Sequence, residues 1–195
     1  MPPADPRPLR ADARRNRERL LEVAVRAFAQ GGPEVTLDAI AKQAGVGIGT
    51  LYRHFATREE LVEAAYRSEL AKLCAAAAEL LTTHQPDEAL RAWMDSFVDY
   101  MTTKRGMADA LRALIASGGD PFSHSRSMLT TAITELLQAG ATAGLLRSDA
   151  EPEDVLFSLS GLSLAATTPE HRARMGRLLD LLMDGLRYHA AANAC

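Results

Sequence analysis

Between Ile48 and His54 the chain sets a hydroxyl (Thr50), a phenol (Tyr52), a guanidinium (Arg53) and an imidazole (His54) almost side by side. Arg53 carries the donor fork that matches guanine O6 and N7, a pairing worth about 1–3 kcal/mol of base discrimination. The same side chain can also rest on a phosphate, and Tyr52 can simply cover Phe55. Chemistry of the bond-making kind finds less support. The five histidines (His54, His84, His124, His171 and His189) have no metal-ligand spacing. Neither a glycine phosphate loop nor G-x-S-x-G occurs. Cys74 and Cys195 supply neither a disulfide framework nor a metal set. The expectation is a protein that is not an enzyme and has no cofactor and no metal.

These polar groups need a rigid mount, and the flanking residues provide one. Thr36 is a good N-cap, its hydroxyl free to accept from an orphan backbone N–H. Asp38 then sits in a first turn, where the helix dipole favours negative charge. Leu37, Ile40, Ala41 and Ala44 recur at helical spacing, and Gly45 suits a left-handed C-terminal cap. Val46 is read as the buried residue of the turn. A second helix, roughly Ile48 to Phe55, turns Leu51 and Phe55 inward. It leaves Ile48, Gly49, Thr50, Tyr52, Arg53 and His54 largely outward. That is the layout of a helix-turn-helix, whose second helix enters the DNA major groove.

The run GVGIGTLYRHFATREELVEAAY, with T-L-x-x-I-A and A-G-V before it, resembles the recognition segment of TetR-type (tetracycline-repressor-like) transcriptional regulators. The resemblance covers residues 14–66. It implies that Thr50 and Tyr52 touch DNA, Tyr52 through its hydroxyl to a phosphate. His54 and Arg58 match phosphate-facing positions, and Arg53, Ile48 and Gly49 match positions close to base edges. Ile48 would pack on a thymine methyl, and Gly49 would let the backbone come near. Thr36 and Lys42 complete the DNA-facing set, Lys42 as the weaker phosphate candidate. Many relatives carry Ser where Gly47 stands. Glycine caps a helix acceptably but offers no hydroxyl, so no phosphate contact is assigned to it.

The chain has 195 residues, 47% of them hydrophobic, which fits a globular protein. Its net charge of −3 is uneven. Residues 1–58 hold ten Lys+Arg against six Asp+Glu, and the rest hold 12 against 19. A basic head on an acidic body suits nucleic acid met at one end. No apolar run reaches the ~18 residues of a membrane span, and the Arg-rich start lacks a signal-peptide core. A cytoplasmic protein is expected.

An all-α chain of about nine helices follows from the apolar periodicity. A disordered, Pro-rich arm covers 1–11, with Arg7 and Arg10 leading into Arg14, Arg15, Arg17 and Arg19; a phosphate-backbone or minor-groove role is one reading of it. The helix-turn-helix DNA-binding domain takes 12–58, its first helix running from Asp12 to Gln30 and stopped by Gly31-Gly32-Pro33. By the resemblance, residues 59–195 would be the helical effector-binding and dimerisation domain. Thr57 and Glu60 have capping-box spacing ahead of a helix that reaches Thr82. Further helices are expected over Pro86–Thr103, Met107–Ser117, Phe122–Ala143, from Pro152, and from Pro169 behind a Thr168 cap.

Within that domain Trp93, Met94, Phe97, Met101, Met107 and Met128 are the large, adaptable residues that suit an apolar guest. As an apolar stripe they serve equally as plain core. His124, Arg112 and Arg126 are candidate anchors for an acidic group, or surface residues. By the resemblance, the last two helices of each subunit pair in a four-helix bundle, with Leu159, Leu162, Ser163, Leu178, Leu182 and Leu186 at the interface. The implied function is a homodimeric, sequence-specific regulator on a palindromic double-stranded operator. It would be a repressor released when a small hydrophobic or amphipathic effector pivots the helix from Thr57. The alternative is a helical ligand-binding or interaction protein that acts as activator or no longer reads DNA.

Overall fold

The computed structural model describes the backbone of residues 6–31, 34–165 and 169–187, all described elements of which are helical. They are α1 (Pro6–Gly31), α2 (Leu37–Gln43), α3 (Ile48–His54), α4 (Arg58–Thr83), α5 (Pro86–Gly106), α6 (Ala108–Ala116), α7 (Ser125–Thr142), α8 (Pro152–Ala165) and α9 (Pro169–Arg187). Among the described residues this is the all-α, nine-helix chain that the periodicity predicts.

Two compact units share these helices: Met1–Glu69 with Thr103–Pro121, and Leu70–Thr102 with Phe122–Cys195. In the first, α1, α2 and α3 pack pairwise. Their shared core comes from Leu20, Ala24 and Phe28 of α1, Ile40 and Ala41 of α2, and Leu51 of α3, all at most 1% exposed. The end of α5 also belongs here. A Cβ at Gly106 would lie 2.8 Å from the Ala29 carbonyl oxygen, so only glycine lets the two backbones come that close.

In the second unit α7 packs on α8, and α8 on α9. Trp93 is fully buried, its one donor satisfied by the Leu73 carbonyl at 2.8 Å. Arginine–aspartate pairs fasten α5 to α9 in both directions. Arg91 Nε lies 2.8 Å from Asp180 Oδ1, and Arg187 Nη2 lies 2.6 Å from Asp87 Oδ2. The Arg147 N–H, between α7 and α8, donates to the Leu186 carbonyl of α9 at 2.8 Å and ties that turn to α9.

Several details differ from the sequence expectation. Helix α1 starts at Pro6, ahead of Asp12. Pro6 and Pro8 fall in its first turn, where backbone N–H groups have no helical acceptor and a missing donor costs nothing. Helix α7 starts at Ser125 because Pro121 to His124 form turns first. Val46 is half-buried. Met128, expected among the large apolar residues of the body, is 36% exposed, whereas Met183 is fully buried. The Thr168 cap, the Gly32-Pro33 break, Cys195, His189 and the first five residues lie outside the described residues.

Candidate nucleic-acid interface

Helix α3 is short, and its orientation comes from its neighbours. The Thr36 hydroxyl accepts from the Ala39 N–H at 3.2 Å and starts α2. Gly45 stops it at φ +67°, a left-handed backbone that glycine adopts without strain. The Val46 N–H returns to the Ala41 carbonyl at 3.0 Å, closing the turn. Gly47 is the N-cap of α3, in extended conformation and with no side-chain bond. Thr50 and Leu51 donate back to the Gly47 carbonyl at 2.8 and 3.2 Å. Leu51 (0% exposed) and Phe55 (3%) anchor the helix from below.

The opposite face is open. Ile48 is 37% exposed and Tyr52 51%. Gly49, Arg53, Thr36 and Lys42 are exposed, and Thr50 and His54 are half-buried. A Cβ at Gly49 would meet nothing within 4 Å, so no contact inside the chain demands glycine there. Burial at Leu51 and exposure at Ile48, Gly49, Tyr52 and Arg53 together make one shallow polar and cationic surface on a fixed base.

Behind it, one half of the expected capping box forms, and the Glu60 side chain bonds one residue ahead of the Thr57 cap. The Glu60 N–H donates to Thr57 Oγ1 at 3.1 Å, and Glu60 Oε2 accepts from the Ala56 N–H at 2.7 Å. Arg58, the first residue of α4, is half-buried. Its guanidinium donates to the Val35 carbonyl and lies over the Phe28 ring, 4.8 Å from the centroid. Arg17 lies over Phe55 at 5.1 Å and shares a groove with His54, Glu60, Glu63 and Arg67. The exposed Arg14, Arg15 and Arg19 have partners within α1: Glu18, Asp12 and Asn16.

The candidate effector residues part company. Trp93, Met94 and Phe97 are buried, with the Trp93 and Phe97 rings 5.8 Å apart, and Met101 is half-buried. Met107 is buried in the first unit, while Met128 is exposed on α7. Arg112 pairs with Asp109, Arg126 pairs with Glu153 at 3.0 Å, and His124 is the exposed N-cap of α7. Of the candidate interface residues, Leu159, Ser163 and Leu186 are buried within the chain, and Leu162, Leu178 and Leu182 are half-buried. The apolar side chains left bare on α8 and α9 are others: Phe157 (82% exposed), Leu164 (69%) and Leu181 (67%). Phe157 and Leu164 are seven residues apart on one helix face. The available signal was a large apolar residue lying beside the expected interface positions Leu159 and Leu162.

A helix-turn-helix with an exposed, cationic second helix, joined to a longer helical body, defines a DNA-binding regulator. The chain belongs to the TetR family of bacterial transcriptional regulators. Residues 20–65 match the family described as "Bacterial regulatory proteins, tetR family", and residues 85–188 match "Transcriptional regulator SbtR-like, C-terminal domain". The crystal structure of a TetR transcriptional regulator from Streptomyces coelicolor is 52% identical, covering 89% of this chain and 99% of that one, with TM-score 0.84. A TetR transcription regulatory protein from Mycobacterium vanbaalenii is 34% identical over 92% of this chain and 99% of that chain, with TM-score 0.76. An HTH-type transcriptional regulator of Staphylococcus aureus (strain USA300) is 44% identical over 54 residues, 27% of this chain and 29% of that relative's length. Proteins of this family and fold are regulators, not enzymes. Among the described residues no helix is long and apolar enough to cross a membrane.

Proposed function

We propose that the chain is a cytoplasmic, homodimeric repressor that binds a palindromic operator through two copies of α3 and leaves it when a small apolar or amphipathic effector binds. The observation that carries this reading is the α3 surface, bare at Ile48, Tyr52 and Arg53 yet fixed from beneath by the buried Leu51 and Phe55. In it Arg53 reads guanine, Ile48 and Gly49 approach base edges, and Thr50, Tyr52 and His54 take phosphates or sugar. Thr36 and Lys42 add contacts at the edge. The reading function belongs to 12–58, and effector binding and dimerisation to 59–195.

One such head spans only a few base pairs, so useful affinity calls for two, separated by a helical turn or its multiple. The bare Phe157, Leu164 and Leu181 supply apolar area for pairing through α8 and α9, with Leu162, Leu178 and Leu182 beside them. The effector wall is assigned to Trp93, Met94, Phe97 and Met101 of α5. Effector binding lowers operator affinity only if the two ligands favour different arrangements of the paired heads.

Selection of bound sequences from random duplexes tests the reading. The expected product is a two-fold symmetric site retained by a dimer and lost on scrambling. A chain that sediments as a monomer at every concentration, or that enriches no sequence, sinks the proposal.

A further inference from the structure

The family pattern places Arg58 toward a DNA phosphate, but the side chain is committed elsewhere. Its guanidinium donates to the Val35 carbonyl, across 23 residues of sequence, and is stacked over Phe28 at 4.8 Å. Val35 stands immediately before Thr36, whose hydroxyl starts α2. Phe28 is 1% exposed, in the last turns of α1. Arg58 itself begins α4, directly after the Thr57 cap. One planar group therefore touches the end of α1, the entry to α2 and the start of α4.

We propose that Arg58 is a positioning residue of the reading head: it holds the entry of the helix-turn-helix against α1 and α4 and does not neutralise a phosphate. The chemistry favours arginine for this. A guanidinium stacks flat on a ring while its edge donates in plane to a carbonyl, whereas an ammonium is a compact point charge. The donated bond also satisfies a carbonyl that lies in neither α1 nor α2, and leaving such a group without its partner is costly where water is scarce. Withdrawing Arg58 to reach DNA would give up both contacts at once.

The proposal rests on DNA binding by the family, and its test separates the two. Arg58→Gln and Arg58→Lys are compared with the unaltered protein by thermal unfolding without DNA, and by duplex binding across a salt series. The duplex is one selected by the unaltered protein from a random pool. For a positioning residue, both variants melt at lower temperature, and the folded-to-unfolded ratio falls about tenfold or more for Arg58→Gln. Both also lose duplex affinity, while the slope of log affinity against log salt is unchanged. A phosphate contact predicts that Arg58→Gln loses about 0.9 from that slope and that Arg58→Lys, which keeps the charge, resembles the parent. A reduced slope, an unmoved melting temperature or an unmoved affinity each overturns the proposal. Failure of the unaltered protein to hold any duplex counts against DNA reading instead, since the melting comparison needs no DNA.

Discussion

Arg91 of α5 and Asp180 of α9 are joined at 2.8 Å, and the same guanidinium reaches Asp95 at 2.6 Å and the Gly176 carbonyl at 3.4 Å. Burial works against the charge on Arg91. The hydrogen bonds to Asp95 and Asp180 outweigh it, so its pKa is raised above the ordinary arginine value. Asp180 is 63% exposed, and solvent screens much of the attraction. Asp180→Asn is therefore expected to cost only about 0.5–1 kcal/mol of stability. The loss, read by thermal unfolding, shrinks in high salt because exposed pairs are screened. A loss above that range, insensitive to salt, would mean that packing and not charge joins α5 to α9 here.

Gly49 gives a prediction of opposite signs. Nothing in the chain lies within 4 Å of a Cβ added there, and glycine inside a helix costs about 0.5–1 kcal/mol relative to alanine. Gly49→Ala is expected to raise the melting temperature. If the bare backbone faces base edges, the added methyl also lowers duplex affinity. Calorimetry and a gel shift on the same preparation separate the two effects. A variant both more stable and equally tight on DNA removes Gly49 from the interface.

Arg53 and Lys42 are both exposed, yet different behaviour is expected of them. Arg53→Ala relaxes sequence preference by about 1–3 kcal/mol at one base pair. Lys42→Ala weakens all duplexes alike and lowers the salt slope by about 0.9. Parallel titrations of a selected site and its scrambled counterpart check this. Equal losses on both duplexes for Arg53→Ala would assign it to the backbone.

The helix-turn-helix was legible in the sequence because its rules are local. Thr36, Gly45 and the Thr57–Glu60 spacing each act within four residues, and each does in the structure what its type dictates. Arg58 was less legible: its acceptor is 23 residues away, and no periodicity reports a guanidinium laid over Phe28. The body shows the same divide. Periodicity placed the helices of the body, but helical spacing cannot tell which side of a two-sided apolar helix faces its own chain. Thus Leu159 and Leu186 face inward, and Phe157 and Leu181 are left bare.

The paired Arg147 and Asp149 predict a titration. Arg147 Nε and Nη2 donate to the two carboxylate oxygens of Asp149 at 2.6 and 2.8 Å. These bonds, chiefly, pull the Asp149 pKa from 3.8 down to about 2. A depressed carboxylate pKa favours the folded state above the unfolded value, and that contribution is lost as pH falls through about 2. Carboxyl-carbon NMR is expected to find the Asp149 midpoint near 2, and Arg147→Ala to raise it toward the ordinary 3.8. An unchanged midpoint in the variant would show that Arg147 is not the cause.

Phe157 offers the sharpest test of pairing through α8 and α9. At 82% exposed it gives up almost none of its apolar surface within one chain, and Leu164 and Leu181 add to the same deficit. Burying a phenylalanine or leucine side chain is worth about 1.5–3 kcal/mol, and in a symmetric dimer each substitution acts twice. Phe157→Glu removes that gain and places two carboxylates in an apolar contact, which is costly when they are unpaired. Folding of the single chain should be spared, since the residue contributes little to its core. The expected outcome is a well-folded monomer in sedimentation at concentrations where the parent is dimeric, with operator affinity reduced because two heads no longer bind together. If the variant remains a dimer of undiminished affinity, Phe157 lies outside the contact and the pairing surface must be sought elsewhere.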